Sequence, residues 1–213
     1  MNTELIKLNL RVGLELPQKI LTFEEGGKPK VAFLGSEFLA ARHGISNLKA
    51  LERYDASIDA GLLGVSGDLL APVGNKGVIL NYGIDEMDSD YSFGETISRL
   101  KKGIMSQSDT VWFGEIDFQA EAASQGQKLP KVTLLLFGGP RPGGIAMKSY
   151  PKLGLDAFCQ KLLVFEKEGA VKIIFNEVKA LANLHYRSNI NPHEVIDARL
   201  KETFKSAVSK EGG

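Results

Sequence analysis

The feature that most constrains this chain is a repeat. Residues Gln18–His43 (QKILTFEEGGKPKVAFLGSEFLAARH) and Gln160–His185 (QKLLVFEKEGAVKIIFNEVKALANLH) are identical at 11 of 26 positions, at a constant spacing of 142 residues. Chance would give about one or two identities. A segment present twice must fold by the same local rules twice. In the second copy, Lys161–Phe165 and Val171–Phe175 are apolar, β-rich runs, and the intervening EKEG reads as a hairpin turn around Gly169. A short helix ending at His43 or His185 follows in each copy. A longer helix comes next. In the first copy it carries Leu48, Leu51, Tyr54, Ile58 and Leu62 at helical spacing. In the second it spans Pro192–Lys210, with Asn191 as cap and Val195, Ile196, Leu200, Phe204 and Val208 as its apolar face.

The copies differ in what precedes them. Ahead of Gln160, a strand is expected at Val78–Tyr82. A helix is expected at Phe93–Lys102, with Ser92 and Glu95 as a capping box and Gly103 as its stop. Strands follow at Thr110–Asp117 and Val132–Phe137, then the glycine-rich run GGPRPGG, Gly138–Gly144. Ahead of Gln18 there are only 17 residues. The expected organisation is therefore a half repeat at 1–64, a Gly/Pro-rich linker at 65–77, and a complete α+β unit at 78–213. A hairpin with its helices does not bury enough surface alone. The half repeat is expected either to pack on the complete unit as an intramolecular pseudo-dimer, or to complete itself against a second chain as a homodimer.

The run Phe113–Phe175 resembles the bacterial and archaeal family called domain of unknown function 302. The matching pieces are FGEIDF (Phe113–Phe118), GQKLP (Gly126–Pro130), LLLFGGPRPGG (Leu134–Gly144), Met147 and LDAFCQKLLVFEKEGAVKIIFN (Leu155–Asn176). The stretch Leu14–Ile45 resembles the closing part of the same family. The resemblance implies an α+β fold, an antiparallel sheet with helices packed on one side, in the TATA-binding-protein-like class. It also implies pairing as dimers, and it supplies no activity. The family pattern Ile-Asp-His is here Ile116-Asp117-Phe118, so any role of that histidine as base or metal ligand is missing from this copy.

Composition removes whole classes of function. Lysine plus arginine equals aspartate plus glutamate, 26 each, so no basic excess points to nucleic acid. No apolar run approaches the ~18 residues of a membrane span, and the N-terminus has no leader pattern, so a cytoplasmic location is expected. Cys159 is the only cysteine, and no Cys/His spacing suggests a metal. Met147 and Cys159 read as core residues and His193 as an exposed first-turn residue.

What remains is a candidate ligand site. Four glycines and Arg141 in Gly138–Gly144 suit an anion, although the run lacks the ending of a nucleotide loop and its prolines remove two donors. Glu115 and Asp117 lie two apart on one strand and are expected to share a face with Val111 and Phe113. Lys148 and Arg141 are countercharge candidates. The expected site is thus Glu115, Asp117, Arg141, Gly143, Gly144 and Lys148, binding a small molecule or anion, with no cofactor specified. The competing reading is a noncatalytic protein-interaction module. An enzyme using Glu115 or Asp117 ranks third.

Overall fold

Alternation of apolar residues decides how the main sheet is buried. In the computed structural model, which describes residues 2–210, five strands pair antiparallel in the order β3-β7-β6-β5-β4. They are β3 (Ile84–Ser89), β4 (Val111–Asp117), β5 (Val132–Gly138), β6 (Gln160–Lys167) and β7 (Ala170–Asn176). Met1 and residues 211–213, the outer ends of the two expected units, lie outside the described residues.

Leu135, Phe137, Leu162, Val164, Ile173 and Phe175 point to one face of this sheet. They pack against Leu100 and Ile104 of α4 (Phe93–Met105) and Ile196, Leu200 and Phe204 of α9 (Asn191–Val208). Leu134, Leu163, Phe165 and Ile174 point to the other face. Both faces must be covered, because alternate residues of β5 and β6 are apolar on either side. The second face is covered largely by the N-terminal segment. Leu5 and Ile6 of α1 (Asn2–Leu8) and Val12 and Leu14 of the 3₁₀ turn Leu10–Glu15 join its core, with Phe118 and Ala122 of α5 (Phe118–Ser124). The molecule is α+β, as expected, but helices are not confined to one side of the sheet.

The N-terminal segment continues as β1 (Ile20–Glu25), β2 (Lys28–Phe33), α2 (Ser36–His43) and α3 (Leu48–Gly61). Strands β1 and β2 form a separate two-stranded sheet. The same order recurs later as β6, β7, α8 (Val178–Tyr186) and α9. The hairpin registers coincide at the spacing of 142: Ile20 faces Phe33, and Leu162 faces Phe175. Both two-residue turns need positive φ. Gly26 and Gly27 supply it in the first; Glu168 at +53° and Gly169 at +81° do so in the second.

Contacts between the segments are reciprocal. The Lys19 Nζ donates to the Phe158 carbonyl (3.3 Å), and the Lys161 Nζ donates to the Leu16 carbonyl (3.1 Å). A Cβ added at Gly13 would meet Leu163 at 2.8 Å, and one added at Gly154 would meet Leu21 at 3.2 Å. Lys19 and Lys161, Leu16 and Phe158, and Leu21 and Leu163 are all 142 apart.

Several sequence expectations need correction. Val78–Tyr82 is a turn-rich connection, not a strand, and β3 begins at Ile84. Asn81 and Gly83 take positive φ there, which an extended strand does not tolerate. The acidic IDEMDS forms the strand because it lies at a sheet edge, where Lys172 of β7 pairs with Glu86 and Asp88. The 65–77 stretch does not hang free. Ala71 and Val73 donate to the Val31 and Phe33 carbonyls (2.8 and 2.9 Å), extending the small sheet. Gly103 does not stop α4, which runs on to Met105. Ile190 rather than Asn191 caps α9. His193 is fully buried, with its Nε2 3.0 Å from the Ala146 carbonyl and its ring edge-on to Tyr150. No helix among the described residues is long and apolar enough to cross a membrane.

Candidate functional site

Gly138–Gly144 is not a loop. Pro140–Met147 forms helix α6, with Pro140 in the first turn, where a missing amide costs nothing. The Gly143 amide donates to the Gly139 carbonyl (2.8 Å), so it is not presented to a ligand. Gly143 packs beneath the Phe158 ring, and Arg141, Gly144 and Lys148 are exposed. The cavity touching Gly139, Pro142 and Gly143 holds only ≈ 30 Å³, room for about a single water.

Glu115 and Asp117 lie elsewhere. Along β4 and β5, Val111 faces Gly138, while Asp117 faces Thr133 at the far end of the ladder. Six residues of strand, roughly 20 Å, separate Asp117 from the start of the glycine run. The structure therefore does not bring the six expected residues together. A bulge between Trp112 and Gly114 shifts the register. Glu115 and Asp117 keep a common face, but Val111 falls on the opposite one. Glu115 is exposed and reaches Lys101 at 3.6 Å. Asp117 caps α5 by accepting from the Ala120 amide (2.9 Å).

The charged groups that do converge lie where the N-terminal segment meets the later part of the chain. The Arg42 guanidinium is fully buried. It donates to Glu15 (2.5 Å), Asn176 (2.8 Å) and the Tyr82 carbonyl (2.8 Å). His43 Nε2 lies 3.0 Å from the same Glu15 carboxylate. Burial alone would push Glu15 up, yet Arg42 and His43 hold it well below the usual carboxylate range. Burial pushes His43 down, against the pull of Glu15. In the second copy, His185 Nε2 lies 2.8 Å from buried Asp156. Lys161 is also buried, and desolvation, helped by Lys19, pushes it down to about 8.

Two clefts open beside this buried network. The first, of ≈ 440 Å³, is lined by Lys7, Arg11, Lys167 and Lys172, with Glu86 as its one carboxylate. Arg11 and Lys172 both bond to Glu86. Burial raises Glu86, but these two bonds outweigh it and hold it low. The Arg11 Nε is buried and has no partner. The second cleft, of ≈ 420 Å³, lies between residues 71–77 and the end of α8. Among the described residues, no group of three or more His, Cys, Asp or Glu side chains could hold a metal.

None of the six residues expected to form the site lines these clefts, although a signal for the clefts existed. Arg11-Val12-Gly13-Leu14-Glu15 and Lys152-Leu153-Gly154-Leu155-Asp156 spell the same motif, basic–apolar–Gly–Leu–acid. Their spacing is 141, because one more residue separates Asp156 from Gln160 than separates Glu15 from Gln18. Alignment at a constant spacing ends before it.

A five-stranded antiparallel sheet with two long helices on one face defines an α+β domain over the later part of the chain. Residues 85–208, more than half of the chain, match the family described as "Domain of unknown function DUF302", and the chain belongs to that family. It is similar to the crystal structure of an uncharacterized conserved DUF302 protein from Bacillus stearothermophilus. The two share 16% identity over 59% of this chain and 95% of that one, with a TM-score of 0.48. No curated protein matches.

Proposed function

We propose that this chain is a binding protein for a small anion, and that the anion sits in the cleft of Lys7, Arg11, Lys167 and Lys172. The observation that carries this reading is the charge count together with the free donor. Four cations face one carboxylate, and the Arg11 Nε–H is buried without an acceptor. An unmet buried donor costs about 1–3 kcal/mol, which an anion's oxygen would return. Asp88 and Glu168 reach Lys172 and Lys167 from the side, at 2.7 and 3.9 Å, and Arg11 shares Glu86, so among the described residues Lys7 is the cleft's cation without a carboxylate partner and Arg11 Nε its donor without an acceptor. The binding class is the one the sequence favoured; its place moves from the glycine run to the N-terminal segment.

Thermal unfolding with inorganic pyrophosphate, against sodium chloride of equal ionic strength, tests this. Pyrophosphate should raise the midpoint of the wild type and of Arg141→Ala, but not of Arg11→Gln. Equal stabilisation of Arg11→Gln and wild type would defeat the assignment.

A second reading concerns architecture, and the reciprocal Lys19 and Lys161 bonds favour it. Residues 1–64 take the place that a second copy would occupy in a two-fold dimer, so the chain is an intramolecular pseudo-dimer. In a true two-fold interface, residue i meets j and j meets i; the Lys19–Phe158 and Lys161–Leu16 bonds follow that rule within one chain. Sedimentation should then report a monomer at micromolar concentration. An obligate dimer would favour completion against a second chain.

A further inference from the structure

The second cleft differs from the first in kind. It is lined by the cations Lys76, Lys152 and Arg187, by His185, and by the half-buried apolar side chains of Leu184 and Val73. Among the described residues, Lys76 and Arg187 pair with no carboxylate, and Lys152 reaches Glu25 at 3.3 Å. No carboxylate lines the cleft itself. The walls are held before any ligand arrives. Ala71 and Val73 are bonded to β2, and Lys152 lies over the rings of Phe23 and Tyr186. The Lys152 amide also donates to the Tyr186 hydroxyl (2.8 Å).

Comparison with the first copy shows what the space is. Leu184 occupies the position that Arg42 holds on α2. There the chain fills the space with its own guanidinium and seals it with the Tyr82 and Gly83 carbonyls. At the end of α8 a half-buried leucine stands instead, facing residues 71–77 across the cleft. The result is a cleft in which the apolar Leu184 and Val73 lie among three cations. At ≈ 420 Å³ the cleft falls within the range of about 300–1,000 Å³ typical of small-molecule sites.

We propose that this cleft is a second ligand site, taking an organic anion with a compact apolar body, such as a medium-chain carboxylate. The charged head lies among Lys76, Lys152 and Arg187, and the body covers Leu184 and Val73. A purely inorganic anion would leave these side chains wet and gain only the electrostatic part. The site stands independently of the Arg11 cleft, with which it shares no residue.

Anilinonaphthalene sulfonate, a dye that combines an anionic head with an apolar body, is the probe. Its fluorescence should rise saturably on the full chain. Hexanoate should displace it, and inorganic phosphate of equal ionic strength should not. The Lys76→Ala, Arg187→Asn double variant should bind at least ~10-fold more weakly; Asn is chosen because Arg187 takes a positive φ of 52° that asparagine tolerates. Arg11→Gln should bind the dye as the wild type does, whatever becomes of its pyrophosphate response. Unchanged dye affinity in the double variant, with circular dichroism intact, would overturn the proposal. So would displacement by phosphate as effective as by hexanoate.

Discussion

The ends of α2 and α8 present one design with two outcomes. Each carries a histidine buried against an acid, His43 on Glu15 and His185 on Asp156. Next to the first histidine stands Arg42, whose guanidinium bonds to Glu15, Asn176 and the backbone at Tyr82 and Gly83. Next to the second stands Leu184, beside an open cleft. A repeated scaffold can thus keep its hairpin register and its histidine–acid pairs while one substitution, arginine for leucine, decides between a plugged end and an open one. The plug has an electrostatic consequence. Glu15 is ion-paired with Arg42 and hydrogen-bonded to His43, while Asp156 keeps one oxygen, Oδ1, without a partner.

The sharpest way to break this comparison is to make the two ends alike. Arg42→Leu installs what α8 carries, and it strands Glu15 in the core. Removing one partner of a buried pair costs about 3–5 kcal/mol, so urea unfolding should show a loss of that order. A near-neutral result would mean that Arg42 is no plug. Leu184→Ala should cost less, because Leu184 is only partly buried.

The reciprocal glycine contacts come next. Gly13→Ala drives a methyl to 2.8 Å from Leu163, and Gly154→Ala to 3.2 Å from Leu21. Overpacking typically costs about 1–3 kcal/mol. Gly13→Ala should lie within that range and Gly154→Ala at or below its lower end, by thermal unfolding. The reverse order would show that the two seams are packed differently from this description.

The pH response separates the plugged end from the α8–α9 joint. His43 is pushed down by burial, so the stability it contributes is present above its ordinary pKa of 6.5 and drains away as pH falls below that value. Asp197 behaves oppositely. It accepts from the Val178 and Lys179 amides at the start of α8, yet burial raises it to about 6. Its contribution is present below its ordinary 3.8 and is lost as pH rises through about 6. In Asp197→Asn the loss over that interval, about 1–2 kcal/mol once partial exposure is allowed for, should vanish from a stability–pH profile. A profile unchanged by the substitution would contradict the assignment.

The smallest effect belongs to the residues that the sequence singled out. Glu115→Gln breaks only an exposed 3.6 Å pair with Lys101 and should change stability by less than about 0.5 kcal/mol.

Legibility followed periodicity. The hairpins, α9, the edge strand β4 and the buried strands β5 to β7 are readable because apolar spacing and turn residues act locally. The failures came where tertiary context overrode local signals. IDEMDS is too acidic to look like a strand, and only its edge position beside Lys172 makes it one. GGPRPGG looks like a loop, but both its prolines lie within the first helical turn, where their missing amides are tolerated. His193 looks exposed in a first turn, yet Tyr150 and the Ala146 carbonyl enclose it. The grouping of Glu115 and Asp117 with the glycine run required knowing which end of β4 meets Gly138, and antiparallel pairing puts them at opposite ends. The Arg11 and Lys152 motifs were present in the sequence but out of step by one residue.

The packing of the N-terminal segment on the later unit of the same chain underlies all of this, and a thiol crosslink tests it most directly. With Cys159→Ser as background, Leu21→Cys and Gly154→Cys place two thiols on residues whose side chains adjoin, a Cβ on residue 154 lying 3.2 Å from Leu21 Cδ1, within reach of a short bifunctional thiol crosslinker. The crosslinker should give a monomer with one internal bridge, mapped by peptide mass spectrometry. A crosslink found only between chains, or none at all in a folded protein, would contradict the account.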